Sequence, residues 1–316
     1  MIDLVFCGTP QFAVPTLSAL LAAADEFRVR LAVCQPDRPA GRGLTLTPSP
    51  VKQIALAHAL PIAQPEKIKN NQEFRVQLET IRPEAIVVVA YGRIIPPWMI
   101  ALPPLGNINL HASLLPKFRG AAPIQWAIAM GETVTGVTTM RIDEGLDTGD
   151  MLLQRELPIS LDDTAETLAP RLAELGAPLM LETLRGLKRG AIQPRPQDPA
   201  AATLAPLLKK EDGLIDYRST AGEIVNRLRG FVPWPGAYTS FRGKTLHLWE
   251  ARAAPTLSES LQPGQLLVQG ERLCAACGQR TTLEILALQL EGKKRTSARD
   301  FLHGYRPKAD EKFGDK

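Results

Sequence analysis

The stretch Gly106-Asn-Ile-Asn-Leu-His-Ala-Ser-Leu-Leu-Pro116 decides how the first part of this chain is organised. Apolar Ile108 and Leu110 alternate with polar Asn109 and His111, which is the period of a strand with one apolar face. Side chains at positions i and i+2 lie on the same side of a strand, so Asn109 and His111 project together. The sequence therefore predicts a strand that presents an amide beside an imidazole.

An acidic, Gly-containing turn follows at Asp143-Glu-Gly-Leu-Asp-Thr-Gly-Asp150, after a predicted strand over 134–142. Before that strand come a basic loop, Lys117-Phe-Arg-Gly120, and a helix-like segment over 123–130. Asp147 in the acidic turn, opposite a strand-borne Asn and His, completes a set of groups suited to acyl transfer.

The residues before this stretch predict a doubly wound α/β domain. Ile2–Cys7 reads as a strand, 12–21 as a helix and 29–33 as a second strand, which is a parallel, right-handed β-α-β opening. Residues 84–90 are apolar on both faces, as a buried parallel strand requires. Gly8 alone does not form the three-glycine dinucleotide fingerprint, so a nicotinamide cofactor has little support.

Two connecting segments carry helix signals. Residues 36–50 are so rich in Pro and Gly that we expect no regular element before Ser49-Pro50, which suits the N-cap and first position of a helix. Asp163-Thr-Ala-Glu166 resembles a capping box that opens a long helix towards Lys188, with Pro170 expected to kink or delay it.

The C-terminal third predicts a small β-domain. Residues 190–206 are Pro-rich and suit a linker, so we expect a catalytic domain over 1–189 and a second domain over 207–316. Thr220 to Glu223 caps a short helix. Five short strands with Gly turns then suggest an OB-like barrel, over 237–241, 245–250, 265–268, 272–275 and 282–288.

Length and composition favour a cytoplasmic, two-domain protein. The chain has 316 residues, enough for two hydrophobic cores, and no apolar run long enough to span a bilayer. Met1 leads directly into a strand pattern without a presequence. Four cysteines do not make a disulfide framework, and we interpret the Cys274-Ala-Ala-Cys277 pair as structural because no second pair or nearby His accompanies it.

Positive charge is concentrated near the C-terminus. Residues 207–316 hold 18 Lys and Arg against 13 Asp and Glu, whereas residues 1–206 hold 19 against 20. This asymmetry suggests a polyanionic partner, with an ordinary solvated surface as the alternative.

The order of these motifs resembles the folate-dependent formyltransferases. The match consists of Asn-x-His with Ser-Leu-Leu-Pro, then Arg-Gly-Ala-Ala-Pro-Ile-Gln, then Asp-x-Gly-x-Asp-Thr-Gly-Asp, and it extends from Phe6-Cys-Gly-Thr-Pro to the Gly292-Lys-Lys tail. The resemblance implies 10-formyltetrahydrofolate as co-substrate without a metal. It also implies initiator methionyl-tRNA as a partner, and we expect a monomer that does not contact membranes.

The resemblance also assigns residues. The implied catalytic groups are Asn109 as an oxyanion donor, His111 as a donor or proton relay, and Asp147 as the group that orients and charges the imidazole. The implied folate-binding residues are Tyr91, Gly92, Ile94, Ser113, Leu114, Leu115 and Pro116. The expected tRNA-binding residues are Arg42, Lys209, Lys210, Arg227, Lys244, Lys293 and Lys294. Arg42 matches an arginine of a mobile loop in the family, although Leu44 and Thr45 stand where lysines are common.

Three functions remain open from the sequence. The first is formyl transfer to an aminoacyl-tRNA. The second is a formyltetrahydrofolate hydrolase, or a formyltransferase of nucleotide sugars or ribonucleotides, because the Asn/His/Asp set does not itself choose the acceptor. The third is a nucleic-acid-binding module on a Rossmann scaffold. A basic OB-like domain favours the first over the second, since water as acceptor does not need it.

Overall fold

A computed structural model describes residues 1–40, 45–255, 261–308 and 310–315. The chain forms two compact units, each assembled from separate segments. The first comprises 1–123, 134–158 and 169–206, and the second comprises 124–133, 159–168 and 207–316. Within the described residues, no helix combines the length and apolar character needed to cross a membrane.

The first unit contains a seven-stranded sheet in the order β5-β2-β1-β6-β7-β8-β9. The first five strands in this order pair in parallel, and β8 and β9 add two antiparallel pairs. Its strands, with a separate β3-β4 hairpin, are β1 (Ile2–Gly8), β2 (Phe27–Val33), β3 (Arg38–Ala40), β4 (Thr45–Thr47), β5 (Ile62–Ala63), β6 (Ala85–Val89), β7 (Asn107–His111), β8 (Val134–Arg141) and β9 (Met151–Pro158). The helices before residue 190 are α1 (Val14–Ala22), α2 (Pro50–Ala57), α3 (Gln72–Ile81), α4 (Pro97–Ile100), α5 (Pro123–Ala129) and α6 (Ala165–Lys188). Residues 124–129 of α5 and the first turn of α6 belong to the second unit.

The two faces of β7 have different surroundings. Leu110 lies so close to Gly176 of α6 that an added Cβ there would be 2.5 Å from the leucine side chain, which would then have to shift. On the other face, the parallel register pairs Ile86 with Asn107 and Val88 with Asn109. Asn107 and Asn109 therefore lie on the same side of the sheet as Ile86 and Val88, whose side chains pack in one core with α3 and α4.

The predicted helix and strand positions are largely confirmed, with two corrections. Residues 36–50 do contain regular structure, because Arg38–Ala40 and Thr45–Thr47 pair as antiparallel strands despite the flanking prolines. The sequence predicted Asp163 as the N-cap of the long helix, but the N-cap is one residue later, at Thr164. Thr164 caps it by accepting from the amide of Thr167, and the chain then passes through both Pro170 and Pro178.

The second unit is built on an antiparallel sheet in the order β10-β11-β14-β13-β12, with β15 paired to β14. Its elements are α7 (Ala221–Gly230), β10 (Ala237–Phe241), β11 (Lys244–Ala254), β12 (Leu266–Gln269), β13 (Arg272–Ala276), β14 (Thr282–Leu290), β15 (Thr296–Ser297) and α8 (Ala298–Tyr305). Leu246, Leu273, Leu283 and Phe301 are fully buried in its core. The fold class expected from the sequence is confirmed: a Rossmann-like unit and a small domain of antiparallel strands.

The second unit includes two segments from earlier in the chain. Trp126 of α5 packs edge-to-face on Phe231 with ring centroids 5.3 Å apart. Arg229 of α7 donates to the carbonyl of Asp163 at 2.8 Å. The domain boundaries drawn from the sequence remain a prediction, and residues 124–133 and 159–168 matter for any fragment designed on them.

The Pro-rich segment 190–206 is hydrogen-bonded within the first unit. Arg195 and Met151 exchange backbone hydrogen bonds of 2.9 Å, and the amide of Ala205 donates to the carbonyl of Arg119 at 2.7 Å. Ala205 is fully buried. These contacts bring the segment against the loop that follows β7.

Candidate active site

His111, the last residue of β7, is 5% exposed and its two ring nitrogens have different neighbours. Nε2 lies 2.9 Å from the carbonyl oxygen of Phe118. Because a carbonyl can only accept, we assign the hydrogen to Nε2. Nδ1 then faces Asp147, whose Oδ2 is 3.7 Å away. A proton received at Nδ1 would lie beside this carboxylate.

Asp147 lies at the tip of the β8-β9 loop with a φ of 52°. The amide of Gly120 donates to its Oδ2 at 2.9 Å, so the carboxylate is held from the loop that follows β7. Asp143 stabilises the loop from within by accepting from the Gly145 amide at 3.1 Å and the Thr148 hydroxyl at 2.8 Å. The geometry thus fixes the carboxylate close to His111 without burying it fully.

Gln197, from the Pro-rich segment, joins the two loops that meet at Asp147. Its amide nitrogen donates to the carbonyls of Asp147 at 2.8 Å and Gly149 at 2.7 Å. Its amide oxygen accepts from Nε of Arg119 at 3.0 Å. The side chain is 8% exposed, and all its strong hydrogen-bonding capacity is directed at these loops. No feature of the sequence indicated this role, since the residue lies among prolines.

Asn109 and Asn107 share a face of β7 and differ in what they contact. Asn107 is buried, and its amide nitrogen donates to the carbonyls of Met99 and Ile100 at 2.9 and 3.0 Å, which anchors α4. Asn109 is half-buried, and within the described part of the chain its side-chain amide has no hydrogen-bond partner. The amide of Asn109 therefore remains available to a reacting group beside His111.

The predicted folate-binding residues after β7 form a loop fastened to β8 and β9. The hydroxyl of Ser113 donates to the carbonyl of Lys117 at 2.6 Å. Thr138 of β8 donates to the carbonyl of Ser113 at 2.6 Å and accepts from the amide of Leu115 at 3.1 Å. Leu115 is buried, and Leu114 and Pro116 are half-buried. Sequence reasoning missed Thr138, which lies inside the strand predicted over 134–142 and carried no signal of its own.

The predicted folate-binding residues after β6 leave the sheet at the same edge as His111, because β6 and β7 are adjacent and parallel. Gln35, two residues after the end of β2, donates to the carbonyl of Tyr91 at 2.8 Å. The Tyr91 side chain is buried, and burial raises the pKa of its phenol. Gly92 has a φ of 73°, and Ile94 is 93% exposed. The Ile94 side chain is therefore free to contact a ligand at this edge of the sheet.

A half-buried polar cluster stands at the base of the β3-β4 hairpin. The ammonium of Lys52 contacts Asp37 at 2.5 Å and Gln64 at 2.7 Å, and Gln64 also donates to Asp37 at 2.8 Å. These donors lower the pKa of the Asp37 carboxyl. Arg42, which the resemblance assigns to tRNA binding, lies outside the described residues.

The remaining predicted tRNA-binding residues lie in the second unit. The exposed lysines are Lys209, Lys210, Lys244, Lys293 and Lys294. Arg227 differs, because its guanidinium lies over the ring of Phe231 at 5.3 Å and donates to the carbonyl of Asp212 at 3.2 Å. This packing gives Arg227 a structural role, whether or not it contacts RNA.

The cysteine pair interpreted as structural is buried within β13 and directly after it. Cys274 and Cys277 are both free thiols, and burial raises the pKa of Cys277 to about 12. Across the described ranges, no group of three or more His, Cys, Asp or Glu could hold a metal ion.

Comparison with known proteins assigns the chain to a family. Residues 2–184 match the formyl transferase family and residues 207–306 match the formyl transferase C-terminal domain. The chain belongs to the formyl transferase family.

Its sequence relatives carry a more specific name. It is 64% identical over 311 residues to the methionyl-tRNA formyltransferase of Koribacter versatilis, covering 98% of each chain. It is 63% identical over 301 residues to the methionyl-tRNA formyltransferase of Acidobacterium capsulatum, covering 95% of this chain and 96% of the relative. The N-formyltransferase of Helicobacter canadensis, solved with folinic acid and dTDP-3-aminofucose, shares the fold with a TM-score of 0.66 at 18% identity, over 90% of this chain and 99% of that one.

Proposed function

We propose that this protein transfers the formyl group of 10-formyltetrahydrofolate to the α-amino group of initiator methionyl-tRNA. The observation that carries the proposal is the Asn109, His111 and Asp147 arrangement, in which a free amide and a carboxylate flank one imidazole. The identity of 64% to a methionyl-tRNA formyltransferase over nearly the whole chain supports this acceptor.

The reaction needs a place for negative charge and a place for a proton. The methionyl amine attacks the formyl carbon, and the carbonyl oxygen becomes an oxyanion in a tetrahedral intermediate. The amide of Asn109 can donate to this oxygen, and such a donor stabilises the transition state more than the substrate. The bond from carbon to N10 of the folate then breaks, and N10 takes a proton as it leaves. No protein nucleophile is needed, because two bound substrates react directly.

His111 and Asp147 are placed to take up the proton that the methionyl amine loses. Nε2 is engaged with the carbonyl of Phe118, so Nδ1 is the ring atom open to accept a proton. The resulting imidazolium would be stabilised by Asp147 at 3.7 Å, a separation that must shorten by about 1 Å to make a charge-assisted hydrogen bond. Such contacts commonly tighten when substrate binds.

The exposed lysines of the second unit support a nucleic-acid acceptor. Among the described residues, none forms an ion pair with Lys210, Lys244 or Lys293, so their charges are available to phosphates. A water molecule or a nucleotide sugar as acceptor would not require this surface.

The test is a transfer assay with 10-formyltetrahydrofolate and three acceptors in parallel. We expect N-formylmethionine on the tRNA with charged methionyl-tRNA, and no comparable product with an amino sugar nucleotide. Release of formate without tRNA should be slow. Fast formate release that methionyl-tRNA does not divert into formyl-methionine would instead identify a hydrolase.

A further inference from the structure

A groove on the second unit combines aromatic side chains with basic ones. It has a volume of about 520 Å³ and lies against β10, β11 and β14. The side chains that matter are Tyr238, His247, Trp249, Gln289 and Lys210. None of these aromatic residues takes part in the catalytic arrangement in the first unit.

The aromatic side chains form a row across neighbouring strands. Tyr238 and His247 are cross-strand partners, and their ring centroids are 5.9 Å apart at an interplanar angle of 48°. Trp249 follows two residues later on β11 and is 37% exposed. The indole of Trp249 contacts the side chain of Gln289, which is the cross-strand partner of His247, so the His247 and Trp249 rings lie on one face of the sheet. Exposed rings on a sheet surface are the platform on which unpaired bases stack.

Trp249 is held in position before any ligand binds. Its indole nitrogen donates to the side-chain oxygen of Gln289 at 3.0 Å, and the nitrogen of Gln289 donates to the carbonyl of Lys293 at 2.8 Å. The guanidinium of Arg295 lies 5.5 Å from the indole ring and is paired with Glu250. A fixed ring loses little conformational freedom on binding, which favours affinity.

The charges around the groove suit a phosphate backbone. Lys210 lines the groove, and Lys293 lies three residues after the end of β14, which forms one side of the groove. The one carboxylate that lines the groove, Glu291, accepts from the backbone amide of Thr245 at 3.2 Å. An exposed Trp249 ring beside the half-buried rings of Tyr238 and His247, flanked by unpaired lysines, matches an RNA strand better than an acidic or apolar peptide.

We propose that this groove binds an unpaired nucleotide of RNA, whose base stacks against the Tyr238, His247 and Trp249 row. The proposal rests on the proposed function, because an RNA substrate would bring such a nucleotide to the second unit. It adds a stacking subsite to the electrostatic contacts expected of the lysines.

The test measures binding of a fluorescein-labelled, single-stranded hexa-adenylate RNA to the full-length protein by anisotropy. Loss of base stacking weakens binding by roughly 5- to 150-fold. We therefore expect Trp249→Leu to raise the Kd by at least about tenfold and Trp249→Phe, which keeps a ring, by less than about threefold. Leu286→Ala is the matched control, since Leu286 is also 37% exposed on β14 and is not part of the groove lining.

Equal RNA affinity of Trp249→Leu and the wild type would overturn the proposal. So would a proline-rich peptide that binds the groove more tightly than RNA and displaces it. If Trp249→Leu fails to fold, Tyr238→Leu and Tyr238→Phe provide the same comparison from β10. The probe carries no methionyl group, so its binding is independent of the transfer assay. Failure of the stacking site and failure of the proposed reaction are therefore separate results.

Discussion

Replacing Gln197 with Met should reduce turnover while leaving folate binding nearly intact. Met has a similar size but removes both donors to the carbonyls of Asp147 and Gly149, and the acceptor for Arg119. A buried carbonyl left without a partner costs about 1–3 kcal/mol, and the one at Asp147 is only partly buried. The loop should therefore lose about 2–4 kcal/mol of its preference for the active position.

This loss of free energy predicts a lower kcat. If most of it appears as displacement of the Asp147 carboxylate, kcat should fall roughly 10- to 100-fold. The KM for 10-formyltetrahydrofolate should change less than about threefold, because the hydrogen bonds of Gln197 go to Arg119, Asp147 and Gly149 and to none of the residues predicted to bind the folate. Steady-state kinetics with methionyl-tRNA at saturating folate measures both. Hydrogen exchange at the Gly120 amide, which donates to Asp147, should become faster.

Two variants sharpen this experiment. Gln53→Met removes an exposed amide that donates to the carbonyl of Pro48, and it should leave kcat unchanged. Gln197→Glu keeps an acceptor for Arg119 but places oxygens against the carbonyls of Asp147 and Gly149. It should be at least as slow as Gln197→Met. Normal kcat in Gln197→Met, together with faster exchange at Gly120, would refute the reasoning.

Three further predictions concern the loop, the β-domain and the lysines. Gly149→Ala would place a Cβ 1.9 Å from the carbonyl of Arg141, so kcat should fall by roughly 100-fold, whereas Gly304→Ala in α8 meets no atom within 4 Å and should be neutral or slightly stabilising. Hydrogen bonds from Arg252 and Arg272 lower the pKa of Glu284 from 4.5 to about 2, and the stability this contributes is full above pH 4.5 and lost as the pH falls towards 2. The two arginines are largely exposed, so Glu284→Gln should cost about 1–2 kcal/mol at pH 7 and flatten the acid limb, and an unchanged unfolding curve between pH 2 and 5 would contradict this. Lys244→Ala should reduce the slope of log Kd for tRNA against log salt by about one, and an unaltered slope would remove this residue from the phosphate contacts.

The sequence predicted the parts of the site that depend on strand periodicity. The alternation at 107–111 put Asn109 and His111 on one face, and the parallel strands brought the Tyr91 loop to the same edge. These features follow from the two-residue period of a strand and from the sheet order. The family resemblance, rather than spacing, singled out Asp147.

Long-range contacts could not be predicted in the same way. Gln197 is 50 residues from Asp147, and its contact depends on the whole path of the Pro-rich segment. The β3-β4 hairpin was missed because local Pro and Gly content argued against pairing that antiparallel contacts nevertheless provide. The placement of Trp126 against Phe231 likewise depends on how distant segments assemble.

The central claim is that His111 and Asp147 act as one unit in formyl transfer to methionyl-tRNA. A double-mutant cycle with Asp147→Asn, His111→Ala and the combined variant measures this directly through kcat/KM. Each single change should lower kcat/KM by about 10²- to 10⁴-fold, and the double variant should be no slower than the slower single variant, because the groups share one task. Losses that multiply in the double variant, or near-normal turnover of Asp147→Asn, would contradict the account.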